Sequence, residues 1–331
     1  MSAEPSTSNL ATTELAIETH ALSKRFGHQT AVNGIDLAVP RGSVFGFLGP
    51  NGSGKTTTIR ILLGLAAATS GEVNVLGREI PRHLPEVLPH VGALVEGPGF
   101  YPYLSGRANL QRLDVADRFA SSTTRSARVD AALERVGLTN AAGKKVHAYS
   151  LGMKQRLGIA NALLTPRELI VLDEPTNGLD PQGTREVRGL VRSLTAEGTT
   201  VFVSSHLLAE IEQMCTHVAV MSAGSLVAQG GLDELRQNRT TTVRVQTPDA
   251  DQAIRTLAEL GLAPSIETHD TTHGIDDTRF VIAALPFAMP PETIAASLVG
   301  AGVRLRGFTV EGENLEQLFM ELTGEGFNVA Q

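Results

Sequence analysis

The sequence has almost no cysteine and no long uninterrupted hydrophobic run. Cys215 is the single cysteine among 331 residues, which excludes an internal disulfide framework and fits a reducing cytosol. No uncharged apolar stretch approaches the ~18–20 residues that a membrane-spanning helix requires. If the protein works at a membrane, we therefore expect another chain to supply the membrane-spanning part.

Positive charge is also scarce, because 35 acidic residues outnumber 28 basic ones and the formal net charge is −7. Proteins that bind nucleic acid over a broad surface are normally basic, so this balance argues against such a partner. Residues 1–15 lack the basic start and the apolar core of a secretory signal. We expect a disordered tail there.

What is present is organised around Gly49–Thr57, which reads Gly-Pro-Asn-Gly-Ser-Gly-Lys-Thr-Thr. This complete P-loop motif follows the apolar run Val44–Leu48, which is typical of a buried strand. It precedes residues 57–65, whose apolar positions favour a helix. Strand, loop and helix are the context that gives the motif its meaning. They disfavour the alternative, a glycine-rich turn with a surface lysine.

The P-loop motif predicts a phosphate site. Its glycines let successive backbone N–H groups point at phosphate oxygens, and the following helix adds its positive N-terminal dipole. We expect Lys55 to reach the outer phosphates and the Thr56 hydroxyl to ligate Mg²⁺. The predicted nucleoside triphosphate contacts are Asn51, Gly52, Ser53, Gly54, Lys55, Thr56 and Thr57.

Short apolar strands alternate with helices through the first domain, which is predicted to span residues 16–236. Such alternation favours a parallel sheet with ligands at the carboxyl ends of its strands. Helical periodicity predicts a helical insert at about residues 100–165. The predicted strands are Ala16–His20, Gly34–Val39, Val44–Leu48, Glu72–Leu76, Val91–Glu96, Leu169–Leu172, Thr200–Ser204 and Val218–Met221.

A second, accessory domain is predicted over residues 237–331. Its pattern of strand, helix, strand, strand, helix, strand is that of a ferredoxin-like α+β fold. The polar tip His269–Asp277 contains metal-ligand residue types, but turn formers dominate it and we predict a solvated hairpin. The elements are Thr242–Gln246, Ala250–Leu260, Pro264–Glu267, Arg279–Leu285, Glu292–Val299 and Val303–Val310, with a closing helix at Asn314–Leu322.

Two carboxylates follow the apolar run Leu169–Leu172, where a buried strand would deliver them to the phosphate site. We assign Asp173 to the Mg²⁺ site and Glu174 to the attacking water, as general base or as the group that orients it. His206 follows the strand Thr200–Ser204 and is predicted to hydrogen-bond the terminal phosphate. An ordinary strand end with an acidic turn is the alternative, which the P-loop disfavours.

Five ordered motifs resemble those of the ATP-binding subunit of ABC transporters, over about residues 16–235. The resemblance implies a P-loop NTPase cassette of the α/β class, with a mixed core sheet and a helical insert. It also implies that two cassettes close head to tail over two ATP molecules. The motifs are Gly49–Thr57, Tyr149–Arg156, Leu169–Pro175, Gly178–Asp180 and His206.

The same resemblance implies roles for four further residues. Ser150 and Gly152 would touch the γ-phosphate that the other subunit binds, and Asp180 would lie at the subunit junction. From the residues alone, the segment at Ser150 is equally a plain capped helix. Phe26 falls where the family places an aromatic ring on adenine.

Two departures from the usual family pattern resemble the bacitracin- and daunorubicin-type drug exporters. Tyr149, Leu151 and Met153 replace three of the five residues of the Leu-Ser-Gly-Gly-Gln signature. Glu96 stands where the family normally has a glutamine that senses Mg²⁺, and a carboxylate there can still ligate the metal. The subgroup also carries a C-terminal extension that ends in a motif similar to residues 314–323.

Three aromatic residues follow Glu96 in a proline-bounded loop: Phe100, Tyr101 and Tyr103. In the family this region forms the groove that receives a short cytoplasmic helix of the permease. Aromatic anchors suit such a partner surface. The alternative is that these side chains pack the helical insert onto the core.

Together these features predict an Mg²⁺-dependent ATPase, and the resemblance implies that it acts as a homodimer at the cytoplasmic face of the plasma membrane. The resemblance implies a separate six-helix permease and the export of a drug, an antibiotic or a lipid-like amphiphile. A soluble ABC ATPase of translation or DNA repair is the alternative, which the single cassette and the absence of heptads and of a basic patch disfavour. Ligand sensing, dimerisation and stabilisation stay open for the second domain.

Overall fold

The computed structural model describes residues 14–97, 99–117, 120–237, 241–266, 279–285 and 289–312. Within them the chain divides into two compact units, the first ending at Leu232 and the second beginning at Asp233. The boundary predicted from the sequence lies four residues later. Residues 1–13 of the predicted tail, the hairpin tip His269–Asp277 and the closing helix Asn314–Leu322 lie outside the described residues.

The first unit consists of two sheets and the helices that connect and cover them. Its strands are β1 Leu15–Phe26, β2 Gln29–Ile35, β3 Ala38–Pro40, β4 Val44–Leu48, β5 Ser70–Val75, β6 Arg78–Glu79, β7 Val91–Leu94, β8 Leu169–Leu172, β9 Thr200–Ser205, β10 His217–Ser222 and β11 Ser225–Gly231. Its helices are α1 Lys55–Leu62, α2 Leu84–Val87, α3 Gly106–Ala116, α4 Arg125–Arg135, α5 Leu151–Ala162, α6 Pro181–Ala196 and α7 Leu208–Met214.

The larger sheet has the order β11-β10-β4-β9-β8-β7. Its pairs from β10 to β7 are parallel, and β11 adds an antiparallel edge. Parallel strands are buried on both faces and therefore read as continuous apolar runs, which is why β4 and β8 were predicted to the residue. The sequence prediction missed β11, since Ser225–Gly231 is half-buried and ends in two glycines, which are uncommon in strands.

The smaller sheet has the order β2-β1-β5-β6, with β3 also paired to β1, and its pairs are antiparallel. A hydrophobic core fills the space between the two sheets. The prediction that β1 ends at His20 is wrong, because the strand continues to Phe26. The turn that follows is tight and uses Gly27 at a φ of 56°.

The helices α3, α4 and α5 form the predicted helical insert, and their apolar faces join the core on the other side of the parallel sheet. Asp114 is buried in this insert and accepts hydrogen bonds from Arg125 and Arg128. Within the insert, α3 ends at Ala116.

The second unit contains a four-stranded antiparallel sheet with two helices packed against one face. After α8 (Leu232–Gln237), its elements are β12 Thr241–Thr247, α9 Ala250–Glu259, β13 Pro264–Ile266, β14 Arg279–Leu285, α10 Pro291–Gly300 and β15 Gly307–Gly312. The strand order is β13-β14-β12-β15. Val243 and Val245 alternate toward a core that includes Leu257 of α9 and Leu298 of α10. The chain order of these elements is that of a split βαβ pair.

Within the described ranges, no helix combines the length and the apolar character that crossing a membrane would require.

The aromatic contact between β4 and β9 gives a stability prediction. Phe202 is fully buried, with its ring 5.8 Å from that of Phe45 and 5.3 Å from that of Phe47. We expect Phe202→Ala to lower the free energy of unfolding by about 3–5 kcal/mol, because truncation leaves a cavity between the sheets. Urea denaturation measures this loss. Phe26→Ala, at a ring that is 52% exposed, is the control and should cost less than about 1 kcal/mol; equal losses would contradict the account of the core.

Candidate active site

Three sequence motifs meet at the carboxyl edge of the parallel sheet. The P-loop follows β4, Asp173 follows β8, and His206 follows β9, which lies between those two strands. The register places Leu48 opposite Ser205 and Leu172 opposite Val203. The side chains that follow these strands are therefore neighbours, as the predicted parallel sheet requires.

The P-loop is tightly curled, and two of its glycines have no room for a side chain. A Cβ at Gly49 would lie 2.4 Å from the Met221 carbonyl oxygen, and one at Gly54 would lie 2.4 Å from that of Ala31. Gly54 also has a φ of 105° and immediately precedes α1. The amide groups at the start of α1 thus face the loop, which makes this turn suited to bind an anion.

Lys55 is buried at the start of α1, with only 6% of the residue exposed. Its Nζ donates to the Gly49 carbonyl at 2.6 Å and to that of Pro50 at 3.2 Å, and it lies 3.5 Å from Glu174 Oε1. Burial lowers the pKa of the Lys55 ammonium, while the carboxylates of Glu174 and Asp173 oppose that shift. A cation is therefore held inside the loop where phosphates would lie.

Asp173 connects the P-loop helix to the sheet. Its Oδ2 accepts a hydrogen bond from Thr56 Oγ1 at 3.0 Å, and its Oδ1 accepts one from Ser204 Oγ at 2.6 Å. Ser204 was not among the predicted site residues, although a polar residue near the end of the apolar strand β9 could have indicated a contact at the site. The Ser204 hydroxyl fixes the carboxylate beside Thr56.

Glu174 has an unusual backbone conformation, with a φ of 48°. Its N–H donates to Ser204 Oγ at 2.9 Å, and its Oε2 lies 2.8 Å from His206 Nδ1. Its Oε1 is buried and has no hydrogen-bond partner within the described part of the chain. One carboxylate oxygen is thus oriented by His206, while the other faces the Lys55 ammonium at 3.5 Å.

A cavity of about 560 Å³ opens at these groups. Phe26 lies at its wall with a half-exposed ring, and Lys24 Nζ is 4.7 Å from the ring centre. Ser53 does not line the cavity; its buried hydroxyl has no hydrogen-bond partner among the described residues. The other predicted contacts that line it are Asn51, Gly52, Gly54, Lys55, Thr56, Thr57 and Glu174.

Thr56, which lines the cavity, and Asp173 beside it form a donor set that fits Mg²⁺ bound together with phosphates. The Thr56 hydroxyl and the Asp173 carboxylate are held together, and both are oxygen donors. Among the described residues no group of three or more His, Cys, Asp or Glu side chains forms a metal cage. Mg²⁺ commonly binds through one or two protein ligands plus substrate phosphates and water, so this sparse set is sufficient.

The structure places Glu96 differently from the other predicted metal ligands. Its carboxylate pairs with the guanidinium of Arg60, in the last turn of α1, whereas Thr56 and Asp173 are hydrogen-bonded to each other. Its backbone has a φ of 59°. Arg60 was not among the predicted site residues. A role for Glu96 as a ligand of Mg²⁺ stays a prediction that requires its side chain to leave Arg60.

Ser150, Gly152 and Asp180 line a separate cavity of about 420 Å³ rather than the one at the P-loop. Ser150 Oγ accepts a hydrogen bond from Met153 N at 3.2 Å, which confirms the predicted N-cap of α5. Asp180 Oδ1 accepts one from Gly183 N at 2.8 Å and caps α6. Two capped helix N-termini therefore border one concave surface.

The three aromatic residues after Glu96 divide between core and surface. Phe100 packs against the core of the helical insert, in agreement with the packing alternative. Tyr101 is half-exposed, with the Arg112 guanidinium 4.2 Å from its ring centre. Tyr103 is 77% exposed. Two tyrosine rings thus lie on the surface of the insert.

Comparisons with known proteins agree with this geometry. The sequence profile of a family described as ABC transporter matches residues 32–177. The bacitracin transport ATP-binding protein BcrA of Bacillus licheniformis is 37% identical over 94% of this chain and 98% of its own length. The daunorubicin resistance ATP-binding protein DrrA3 of Streptomyces coeruleorubidus is 34% identical over 96% of this chain and 99% of its own. These relatives confirm the resemblance on which the sequence analysis relied.

A solved structure shares the fold over two thirds of the chain. The ADP conformation of MJ1267, an ATP-binding cassette of an ABC transporter, superposes with a TM-score of 0.60 at 25% identity. The match covers 67% of this chain and 93% of that one. The predicted P-loop cassette fold is thereby confirmed.

The position of Glu174 gives a prediction for catalysis. We expect Glu174→Gln to leave ATP binding intact and to lower turnover at least about tenfold, because the amide cannot accept a proton from water. Equilibrium binding of a fluorescent ATP analogue and phosphate release measure the two effects. Unchanged turnover would remove Glu174 from the mechanism, and lost binding would mean that its ion pair with Lys55 holds the loop in shape.

Proposed function

Since this chain belongs to the family of ATP-binding subunits of ABC transporters, we propose that it powers the export of a drug, an antibiotic or a lipid-like amphiphile. The chain is an ATP-hydrolysing enzyme that uses Mg²⁺, as its family does. Relatives named for bacitracin transport and for daunorubicin resistance support the export of such compounds. A separate membrane permease would form the path.

The observation that carries the proposal is the cluster at the carboxyl edge of the parallel sheet. There Glu174 lies between Lys55 and His206, at 3.5 Å and 2.8 Å, in a cavity of about 560 Å³. A cation for phosphates, a carboxylate for water and a histidine that orients that carboxylate are the groups that hydrolysis of a phosphoanhydride bond needs.

Each of these side chains has a distinct role in hydrolysis. The Glu174 carboxylate aligns the attacking water and accepts its proton, while His206 holds that carboxylate and donates toward the terminal phosphate. Lys55 stabilises charge on the outer phosphates from within the loop. Thr56 and Asp173 would hold Mg²⁺, which would supply positive charge to the phosphates. Such catalysis consists mainly of positioning and electrostatics.

A second copy of the chain would complete each ATP site. Ser150, Gly152 and Asp180 border an open cavity whose two helix N-termini suit an anion. They do not line the P-loop cavity of their own chain. We propose that in a head-to-tail homodimer they contact the γ-phosphate that the partner's P-loop binds, so that ATP holds the two copies together.

The partner surface for the permease would lie beside Glu96. Tyr101 and Tyr103 expose their rings there, on the surface of the helical insert. Exposed aromatic side chains are favoured anchors for a partner helix. Through this contact the protein would be held at the cytoplasmic face of the plasma membrane.

A pull-down from the native host tests the proposed assembly. Tagged Glu174→Gln protein, loaded with Mg-ATP, should recover a hydrophobic subunit of about six spans at one-to-one stoichiometry from gently solubilised membranes. Adding Tyr101→Ala and Tyr103→Ala should reduce recovery about tenfold or more, because truncated anchors at an interface commonly cost 2 kcal/mol or more. Quantitative mass spectrometry measures the recovery.

The matched control is Val299→Ala, which truncates an exposed apolar side chain in the second unit and should leave recovery unchanged. Recovery of ribosomes or DNA instead of a membrane subunit would favour the soluble ATPase and contradict the transporter proposal. Full recovery with the two tyrosines truncated would contradict the partner surface alone.

A further inference from the structure

We infer that Glu210 is a positioning residue for ATP hydrolysis, acting through the two chain segments that carry Glu174 and His206. Glu210 lies in the first turn of α7 and contacts neither of those side chains through a described hydrogen bond. The inference rests on the catalytic role proposed above for Glu174, and it is independent of whether the chain powers a transporter.

One carboxylate oxygen of Glu210 accepts two hydrogen bonds from buried hydroxyl groups. Thr176 Oγ1 donates to Glu210 Oε2 at 2.6 Å, and Ser205 Oγ donates to the same oxygen at 2.9 Å. Thr176 is 5% exposed and Ser205 is fully buried. Hydrogen bonds to a charged acceptor are shorter and about twice as strong as neutral ones, so this oxygen fixes both hydroxyls.

The two hydroxyls belong to the segments on which catalysis depends. Thr176 follows Glu174 after the rigid Pro175, and Ser205 immediately precedes His206. Residues 174–176 follow β8, whereas Ser205 ends β9 and His206 follows it. The hydrogen bonds to Glu210 therefore connect two chain segments from neighbouring strands. The 2.8 Å contact between His206 Nδ1 and Glu174 Oε2 spans those same segments.

The backbone conformation of Glu174 explains why hydrogen bonds that fix this segment are needed. Its φ of 48° lies in the left-handed region, where a non-glycine residue is strained and persists only when its surroundings impose it. Ser204 holds the N-terminal side of this residue, through the bond from Glu174 N. Glu210 holds the C-terminal side, through Thr176. Relaxation on either side would move the carboxylate away from the water it aligns.

Because Glu210 acts on the position of Glu174, we expect its substitution to lower turnover without lowering ATP affinity. Neither Thr176 nor Glu210 lines the P-loop cavity, so nucleotide binding should be unaffected by changes at either residue. Misplacement of a reacting group by about 1 Å costs up to about 100-fold in rate. A residue that only stabilises the fold would lower the melting temperature but would leave the turnover of the folded protein unchanged.

The test measures single-turnover ATP hydrolysis by an excess of full-length protein, together with the affinity for a fluorescent ATP analogue. We expect Glu210→Ala to lower the hydrolysis rate about tenfold with affinity within about twofold. Glu210→Gln keeps an acceptor oxygen and should recover most of the rate. Thr176→Val removes one hydroxyl at nearly constant volume and should lower the rate about threefold.

The double variant of Glu210→Ala with Thr176→Val should hydrolyse ATP about as fast as Glu210→Ala alone, because both changes break the same contact. Glu212→Ala makes the same charge change on the same helix and is the control, expected to keep the wild-type rate. If Glu210→Ala does not fold, Glu210→Gln and Thr176→Val decide the question.

A wild-type rate in Thr176→Val, or in folded Glu210→Ala, would overturn the inference. So would a loss in which ATP affinity falls in proportion to the rate. Glu174→Gln measured alongside separates the two claims: normal hydrolysis there removes the role of Glu174 itself, whereas a loss there with no loss at Glu210 removes only the positioning role.

Discussion

The buried charge of Lys55 is the constraint on which the active site depends. A buried cation is costly unless hydrogen bonds and opposite charges compensate it. Here the P-loop carbonyl oxygens of Gly49 and Pro50 accept from Nζ, and Glu174 lies 3.5 Å away. The loop is therefore held curled around a cation, and bound phosphates would take over contacts that Nζ makes with these oxygen atoms.

The register of the parallel sheet places the other motifs of the site next to the P-loop. Because β9 lies between β4 and β8, Ser204 at its end reaches both Asp173 and the backbone of Glu174. Thr56 in turn contacts Asp173 across the end of the sheet. The helix α1, two strand ends and one histidine thus form a single hydrogen-bonded unit, which explains how widely separated motifs act on one phosphate chain.

The parts of this site that depend on local pattern were predictable from the sequence, and those that depend on tertiary contacts were not. Apolar runs located β4 and β8, since strands buried on both faces read continuously. The left-handed Glu174 has no local signature, because φ > 0 at a non-glycine residue is imposed by distant partners. The pairing of Glu96 with Arg60 and the double contact of Glu210 were missed for the same reason.

The central claim is that two copies of the chain share two ATP sites. Each copy contributes Lys55 and Glu174 to one site, and Ser150 and Asp180 to the other. Light scattering of the Glu174→Gln protein, with and without Mg-ATP, tests it most directly. The account predicts a mass that rises from one chain to two when Mg-ATP is added. We also expect Ser150→Arg, which places a large side chain on the surface that carries Ser150 and Asp180, to abolish this increase in mass. A mass that stays at one chain with ATP saturating the P-loop would contradict it.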